Sequence, residues 1–283
     1  MYMQQIRPSQ IKALIDLLGR ETGPEAALLK KELAHIMQNN PQALHSVIEQ
    51  DFHSSLPAAF VGAMQEVYWE DLTKQISLFT GKINPELEEA LTLVTRFVNP
   101  AITRQEISQH IDELARQLRP ILANCTSAAD IWNYLGQFFF HTQQYAVLPA
   151  AHDIKEISFG RFLQKKQGAA LCMCCLYTVC AKRFGLEAGV VDLAGRVLPT
   201  LQPQDASQPL FADPLENGRL LTLEDCKNYI FERNLEWNEA FVQPLSSRLI
   251  LRRFFSHMIF ILNKLRDERR LTFLRQYMDV LKN

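Results

Sequence analysis

The sequence predicts an α+β fold that is predominantly helical, and three observations carry that prediction. The first is the run from Gly168 to Ala181, fourteen residues without a charge, bounded by Lys165 and Lys166 on one side and Lys182 and Arg183 on the other. The second is the change of period after Gly185, where short β-branched and apolar runs replace helical spacing. The third is the 3.6-residue period on either side of this centre, in the N-terminal half and again beyond Asn228.

The uncharged run is too short to cross a bilayer and suits a core helix. Leu171, Cys175 and Thr178 fall on one side of it and Cys172, Leu176, Val179 and Cys180 on another, so no face is polar and every face needs covering. Gly185, after the basic last turn, is placed to be the left-handed residue that stops the helix. Glu187 to Leu193 and Arg196 to Leu201 then read as strands, broken by Gly195 and Pro199. A third run, Pro209 to Asp213, leads into the turn dipeptides Asp213-Pro214 and Asn217-Gly218, and Thr222 to Asp225 opens the next helix as an N-cap.

Upstream, Ile11, Leu14, Ile15 and Leu18 follow the helical period after Pro8, Gly23-Pro24 restarts the chain, and Pro41 and Pro57 open two further short helices. His35, His45 and His53 have no evident carboxylate or cysteine partner at ligand spacing and read as ordinary surface or core histidines. Asn84-Pro85 begins a helix to about Phe97. Thr103-Arg-Gln-Glu106 is a capping box before Ile107, Ile111, Leu114 and Leu118, and Pro120 closes that helix. Ser127 caps another, holding Trp132, Leu135 and Phe139. At the other end, Ile250, Phe254, Met258, Ile261 and Leu265 stripe one helix and Leu271, Leu274, Met278 and Leu281 a second, which makes an αα-hairpin.

Composition sets outer bounds. With 283 residues and 47% hydrophobic content the chain can bury a sizeable core without staples, and a formal charge of -1 predicts no general affinity for nucleic acid or acidic membranes. Locally the tail from Ser246 is basic, which would suit an acidic partner; a solvated face is the plainer reading because no nucleic-acid-reading motif accompanies the charge. The first residues lack a basic segment followed by an apolar run, so the expected location is the cytoplasm. Four of six cysteines crowd at Cys172, Cys174, Cys175 and Cys180, with Cys125 and Cys226 isolated. Buried thiols in a reducing compartment are the expectation, with a redox or metal role for Cys172-Met-Cys-Cys175 as the alternative. No cofactor and no metal is expected.

Gly168 with Leu171, Tyr177, Ala181-Lys-Arg-Phe-Gly-Leu, Gly189-Val, Gly195-x-x-Leu198 and Asp213-Pro-Leu-Glu-Asn-Gly-Arg-Leu-Leu resemble the SirB-type branch of the transglutaminase-like family, over about Leu87 to Cys226. The resemblance implies a papain-like core in which a cysteine at the start of the core helix attacks a carbonyl, a histidine on a following strand acts as base and an aspartate orients it. Matched position by position, the nucleophile falls on Ala170, the histidine on Arg196 and the aspartate on Asp213. The branch itself usually carries proline at the first position, and its upstream Asn-Ser pair corresponds here to Glu156-Ile157. Alanine has no reactive atom, and a guanidinium stays protonated and cannot accept a proton. Arg196 and Asp213 are instead expected to form a structural ion pair between strands.

The function implied is a non-catalytic interaction or regulatory scaffold. Its expected parts are a helical N-terminal region, residues 1–80, a transglutaminase-like core, 81–232, and a tetratricopeptide-like αα-hairpin, 240–283. An unknown protein partner would meet the helical parts. The alternative is a cysteine-dependent acyl-transfer or hydrolytic enzyme with Cys172 as nucleophile and His152 or His141 as base. A residue two positions along a helix points roughly 200° away, so Cys172 faces different surroundings from Ala170.

Overall fold

The computed structural model describes residues 6–20, 24–52, 56–203 and 208–282, so Gly23 and His53 lie outside the described residues. The chain divides into two compact units, residues 1–74 and 75–283. The architecture is α+β and predominantly helical, with twelve α-helices among the described residues.

The first unit is built by α1 (Pro8–Leu18), α2 (Pro24–Asn39), α3 (Pro41–Asp51) and the first part of α4 (Ala58–Thr80). Prolines open three of these helices, where a missing N–H costs nothing and the fixed φ suits the first turn. Ile11, Leu14, Ile15 and Leu18 meet Leu33, Ile36, Leu44, Val47 and Phe60 in one apolar core. The helix after Pro57 is not short: it runs for 23 residues, since nothing from Ala58 to Thr80 is a glycine or proline that would stop it except the tolerated Gly62. His45 does have a carboxylate partner, Glu49 one turn on at 3.4 Å, although both are exposed.

In the second unit, α5 (Leu87–Val98) is buried on most sides. It is followed by α6 (Arg104–Leu122) and α7 (Ala128–Gly136). The capping box of α6 is present, with the Glu106 side chain accepting from Thr103 N–H at 2.7 Å. Pro120 sits inside α6, which continues to Leu122, so that proline does not end the helix. A π-helical turn, Gln137–Thr142, extends α7 and aims Phe138, Phe139 and Phe140 into the interior. Strands β1 (Ala146–Val147) and β2 (Gln167–Gly168) pair in parallel and flank α8 (Phe159–Lys165).

The centre is α9 (Ala170–Lys182), in which every residue from Leu171 to Ala181 is buried. Thr178 places its hydroxyl 2.9 Å from the Cys174 carbonyl and 3.0 Å from that of Gly189, so this buried group is paired, whereas the buried Tyr177 hydroxyl has no hydrogen-bond partner. Gly185 takes the expected left-handed conformation, φ +72. Beyond α9, Arg183 binds Glu88 of α5 at 3.0 Å and Asp112 of α6 at 2.6 Å.

Four antiparallel strands follow in sequential order: β3 (Glu187–Leu193), β4 (Arg196–Gln202), β5 (Leu210–Asp213) and β6 (Arg219–Leu221). Ala194 and Gly195 join β3 to β4 with positive φ at both positions, the two-residue hairpin that matches strand twist. Pro199 does not break β4. It pairs with Val190 on one side, and the β4–β5 ladder begins only at Thr200, so the missing N–H is not needed. The free edge of β3 is met by the Leu245 N–H, which donates to the Val190 carbonyl at 2.7 Å.

One face of the sheet carries Val191, Leu193, Leu198, Phe211 and Leu221, packed with Cys226 and Ile230 of α10 (Leu223–Phe231) and with Val242. The opposite face meets α9. The chain closes with α11 (Ser247–Leu265) and α12 (Glu268–Val280), whose Phe255 and Tyr277 stack with Phe97 of α5, ring centroids 5.5 to 6.5 Å apart. No helix among the described residues is long and apolar enough to cross a membrane.

Candidate functional site

The site is organised by the N-terminus of α9. Ala169 is its N-cap and Ala170 its first helical residue. The strand residue before them, Gly168, must be glycine because a Cβ there would stand 2.7 Å from the Glu156 carbonyl oxygen. That carbonyl accepts from Ala169 N–H at 2.9 Å, and the Glu156 side chain accepts from the N–H groups of His152 and Asp153. The pair Glu156-Ile157 therefore acts through its backbone to hold the start of the helix.

Ala170 lies in a cleft of about 780 Å³. Loop residues Leu148 to His152 form one side, Asp192, Gly195 and Val197 of the β3–β4 hairpin another, and one face of α11 a third. That face presents Leu249, Arg252, Arg253, Ser256, His257, Phe260 and Lys264, while Ile250, Phe254, Met258 and Ile261 point into the core. Burial, and then the neighbouring Arg253, hold the His257 imidazole below its ordinary pKa.

Arg196 does not enter the cleft. Strand alternation sends Gly195 and Val197 there and turns Arg196 to the α10 side, beside Leu193 and Leu198. On that side its guanidinium is ion-paired with the fully buried Asp213 and stands 4.8 Å over the Tyr229 ring. Asp213 also accepts from Leu215 N–H at 3.0 Å through its other oxygen. The ion pair expected from the sequence is present between β4 and the end of β5. Of the three residues singled out by the resemblance, the structure thus brings together Arg196 and Asp213 and leaves Ala170 with other neighbours.

Cys172 is fully buried and its thiol donates to the Ile157 carbonyl at 3.3 Å, not to an imidazole. Burial pushes this thiol far above its usual pKa, and Cys174, Cys175 and Cys180 likewise. Cys226 is pushed up to about 12 by burial, then by Asp225. All six cysteines are free. His152 lines the cleft and His141 is exposed on the π-helical turn.

Sequence reasoning missed the cleft wall. Arg252, Arg253 and Lys264 entered it only as part of a basic tail and His257 not at all, although their spacing opposite the apolar stripe was the available signal. Several tail charges are neutralised within the fold: Arg270 by Asp267, Arg275 by Glu268 and Lys282 by Asp279, while Arg253 pairs with Asp192.

A family model described as the transglutaminase-like superfamily matches residues 105–256, more than half of the chain. No match was found among curated proteins, and none among solved structures. The matched span takes in α9, the four-stranded sheet and the first half of α11, so it contains most of the cleft.

Proposed function

This chain belongs to the transglutaminase-like superfamily, and from that premise we propose that it is a non-catalytic member of the SirB-type branch acting as an interaction or regulatory scaffold. The observation that carries this reading is the fate of the base position. Arg196 is a permanent cation, paired with Asp213 and turned away from the helix start where a nucleophile would stand. Ala170 offers no nucleophile, and the nearest candidate, Cys172, is buried with its proton committed to a backbone carbonyl. A thiolate nucleophile needs an accessible sulfur, a base within hydrogen-bond reach and a lowered pKa. Burial acts in the opposite direction at every cysteine of α9.

In this reading residues 81–232 are the transglutaminase-like core, residues 1–80 a helical accessory part and residues 240–283 a tetratricopeptide-like hairpin, with a protein partner meeting the helical parts. Six unpaired cysteines fit a reducing compartment, which supports a place in the cytoplasm.

The test is thiol reactivity in the folded protein. Slow, pH-insensitive alkylation by iodoacetamide at Cys172 supports the scaffold. Fast, pH-sensitive alkylation there, with loss of reactivity in His152→Gln, replaces it with the cysteine-enzyme reading.

A further inference from the structure

We propose that the cleft at the start of α9 binds a small amphiphilic anion, a ligand with a carboxylate or phosphate head on an apolar body. The inference deepens the scaffold reading, since a cleft with no nucleophile holds such a ligand without converting it.

The size fits, because ligand pockets run on the order of 300–1,000 Å³ and this one is about 780 Å³. The lining is part apolar and part charged. Its apolar part comes from Leu148, Leu171, Val197, Leu245, Leu249 and Phe260. Its charged part is three cations, Arg252, Arg253 and Lys264, against one carboxylate, Asp192. Asp192 is consumed by Arg253, to which it is ion-paired. Arg252 and Lys264 are left without an ion pair among the described residues, and both are exposed into the cleft region. Lys264 lies 4.1 Å over the Phe260 ring, which holds a cation beside an apolar surface.

The start of α9 adds a second, independent source of positive potential. Ala170 and Leu171 line the cleft at the start of a helix of 13 residues, where the dipole is positive. Two free cations and a helix N-terminus in a partly apolar cleft select for negative charge, and the apolar lining selects for a hydrocarbon body. Arg252 and Lys264 are twelve residues apart on α11, about 18 Å at a rise of roughly 1.5 Å per residue, so the cleft admits an extended ligand.

The experiment is isothermal titration of the full chain with N-octanoylglycine, with octyl phosphate as the phosphate arm and the neutral N-octanoylglycinamide as control. At least one anion is expected to bind, weakening with added salt, and the neutral amide to bind about ten-fold less tightly or worse. Arg252→Gln or Lys264→Gln, both at exposed positions and harmless to folding, is expected to lower affinity about ten-fold. Which anion binds more tightly identifies the head group. Equal binding of anion and neutral amide, no binding of either anion, or no effect of both substitutions overturns the inference. The amide bond of bound N-octanoylglycine is then followed by mass spectrometry: recovery intact supports the scaffold reading, whereas cleavage overturns that reading and leaves the ligand site standing.

Discussion

Arg253, on the inner side of the cleft, is ion-paired with Asp192 at the end of β3, and its second nitrogen donates to the Gly195 carbonyl at 2.9 Å. Asp192 closes the loop by accepting from Gly195 N–H at 2.8 Å. One side chain of the tail helix thus fixes the hairpin that carries Arg196 on its other face. Both side chains are about one-third exposed, so solvent screens part of the attraction. Replacing Arg253 by Met is expected to lower stability by about 1–2 kcal/mol, less than for a dry pair. It should also speed hydrogen exchange in the 192–196 turn. A double-mutant cycle with Asp192→Asn checks the pairing, since additive effects would mean that the two residues act independently.

Arg196 and Asp213 sit deeper. Asp213 has no solvent access, and its second oxygen faces the guanidinium alone. Removing the cation leaves a buried carboxylate unpaired, which typically costs about 3–5 kcal/mol. Arg196→Met is therefore expected to unfold at lower denaturant than the parent. Adding Asp213→Asn to that variant should recover part of the loss by removing the stranded charge. If Arg196→Met melted with the parent, the pair would contribute nothing to the fold.

These two ion pairs also show what could be read from the chain alone. The Arg196–Asp213 pair was legible because the family resemblance assigns the two residues to facing positions on neighbouring strands. The core helix was legible because fourteen uncharged residues leave no polar face to expose. Arg253–Asp192 was not, since the partners are 61 residues apart and neither stands in a motif. Pro199 looked like a strand breaker because its missing N–H matters only where a neighbour needs it, and that depends on the β4–β5 register. Strands β1 and β2, at two residues each, are shorter than any alternation that periodicity can detect. The cleft escaped for a related reason: its walls come from a loop, a hairpin and the polar face of a helix whose apolar face supplied the visible pattern.

Ala170 offers a direct probe of access to the cleft at the start of α9. It opens α9, lines the cleft and is only partly buried, so Ala170→Cys would place a thiol at a helix N-terminus in the cleft that Arg252 and Lys264 also line. Those surroundings stabilise thiolate and should pull its pKa below the free value of about 8.5. Iodoacetamide is expected to alkylate this thiol at least about ten times faster than the buried native cysteines. Arg196 remains committed to Asp213 and cannot serve the new thiol as a base, so any acyl-transfer activity gained would have to use His152 or His257, which line the same cleft. An Ala170→Cys variant that resisted alkylation would mean that the cleft is closed to small molecules.

His110 sets the expected pH dependence. It lies half-buried on α6, with Nε2 3.3 Å from the Tyr145 hydroxyl. Burial depresses its pKa most, Lys166 depresses it further, and Glu113 one turn along the helix opposes both. Glu113 is itself pushed down to about 2 by hydrogen bonds from Arg116 and Gln117, so it stays charged throughout the range of interest. With the folded pKa below the ordinary value of about 6.5, the unfolded chain binds more protons in mildly acidic solution. The stabilisation is then fully present above about pH 6.5 and lost as pH falls through the folded value. His257, depressed by burial and by Arg253, contributes with the same sign. The melting temperature is expected to fall between pH 7 and pH 5, and His110→Gln to flatten that slope by removing one of the two histidines whose pKa is held down. A slope unchanged in His110→Gln would assign the effect to His257 or to the carboxylates, and an imidazole titration by NMR in the folded chain decides between them.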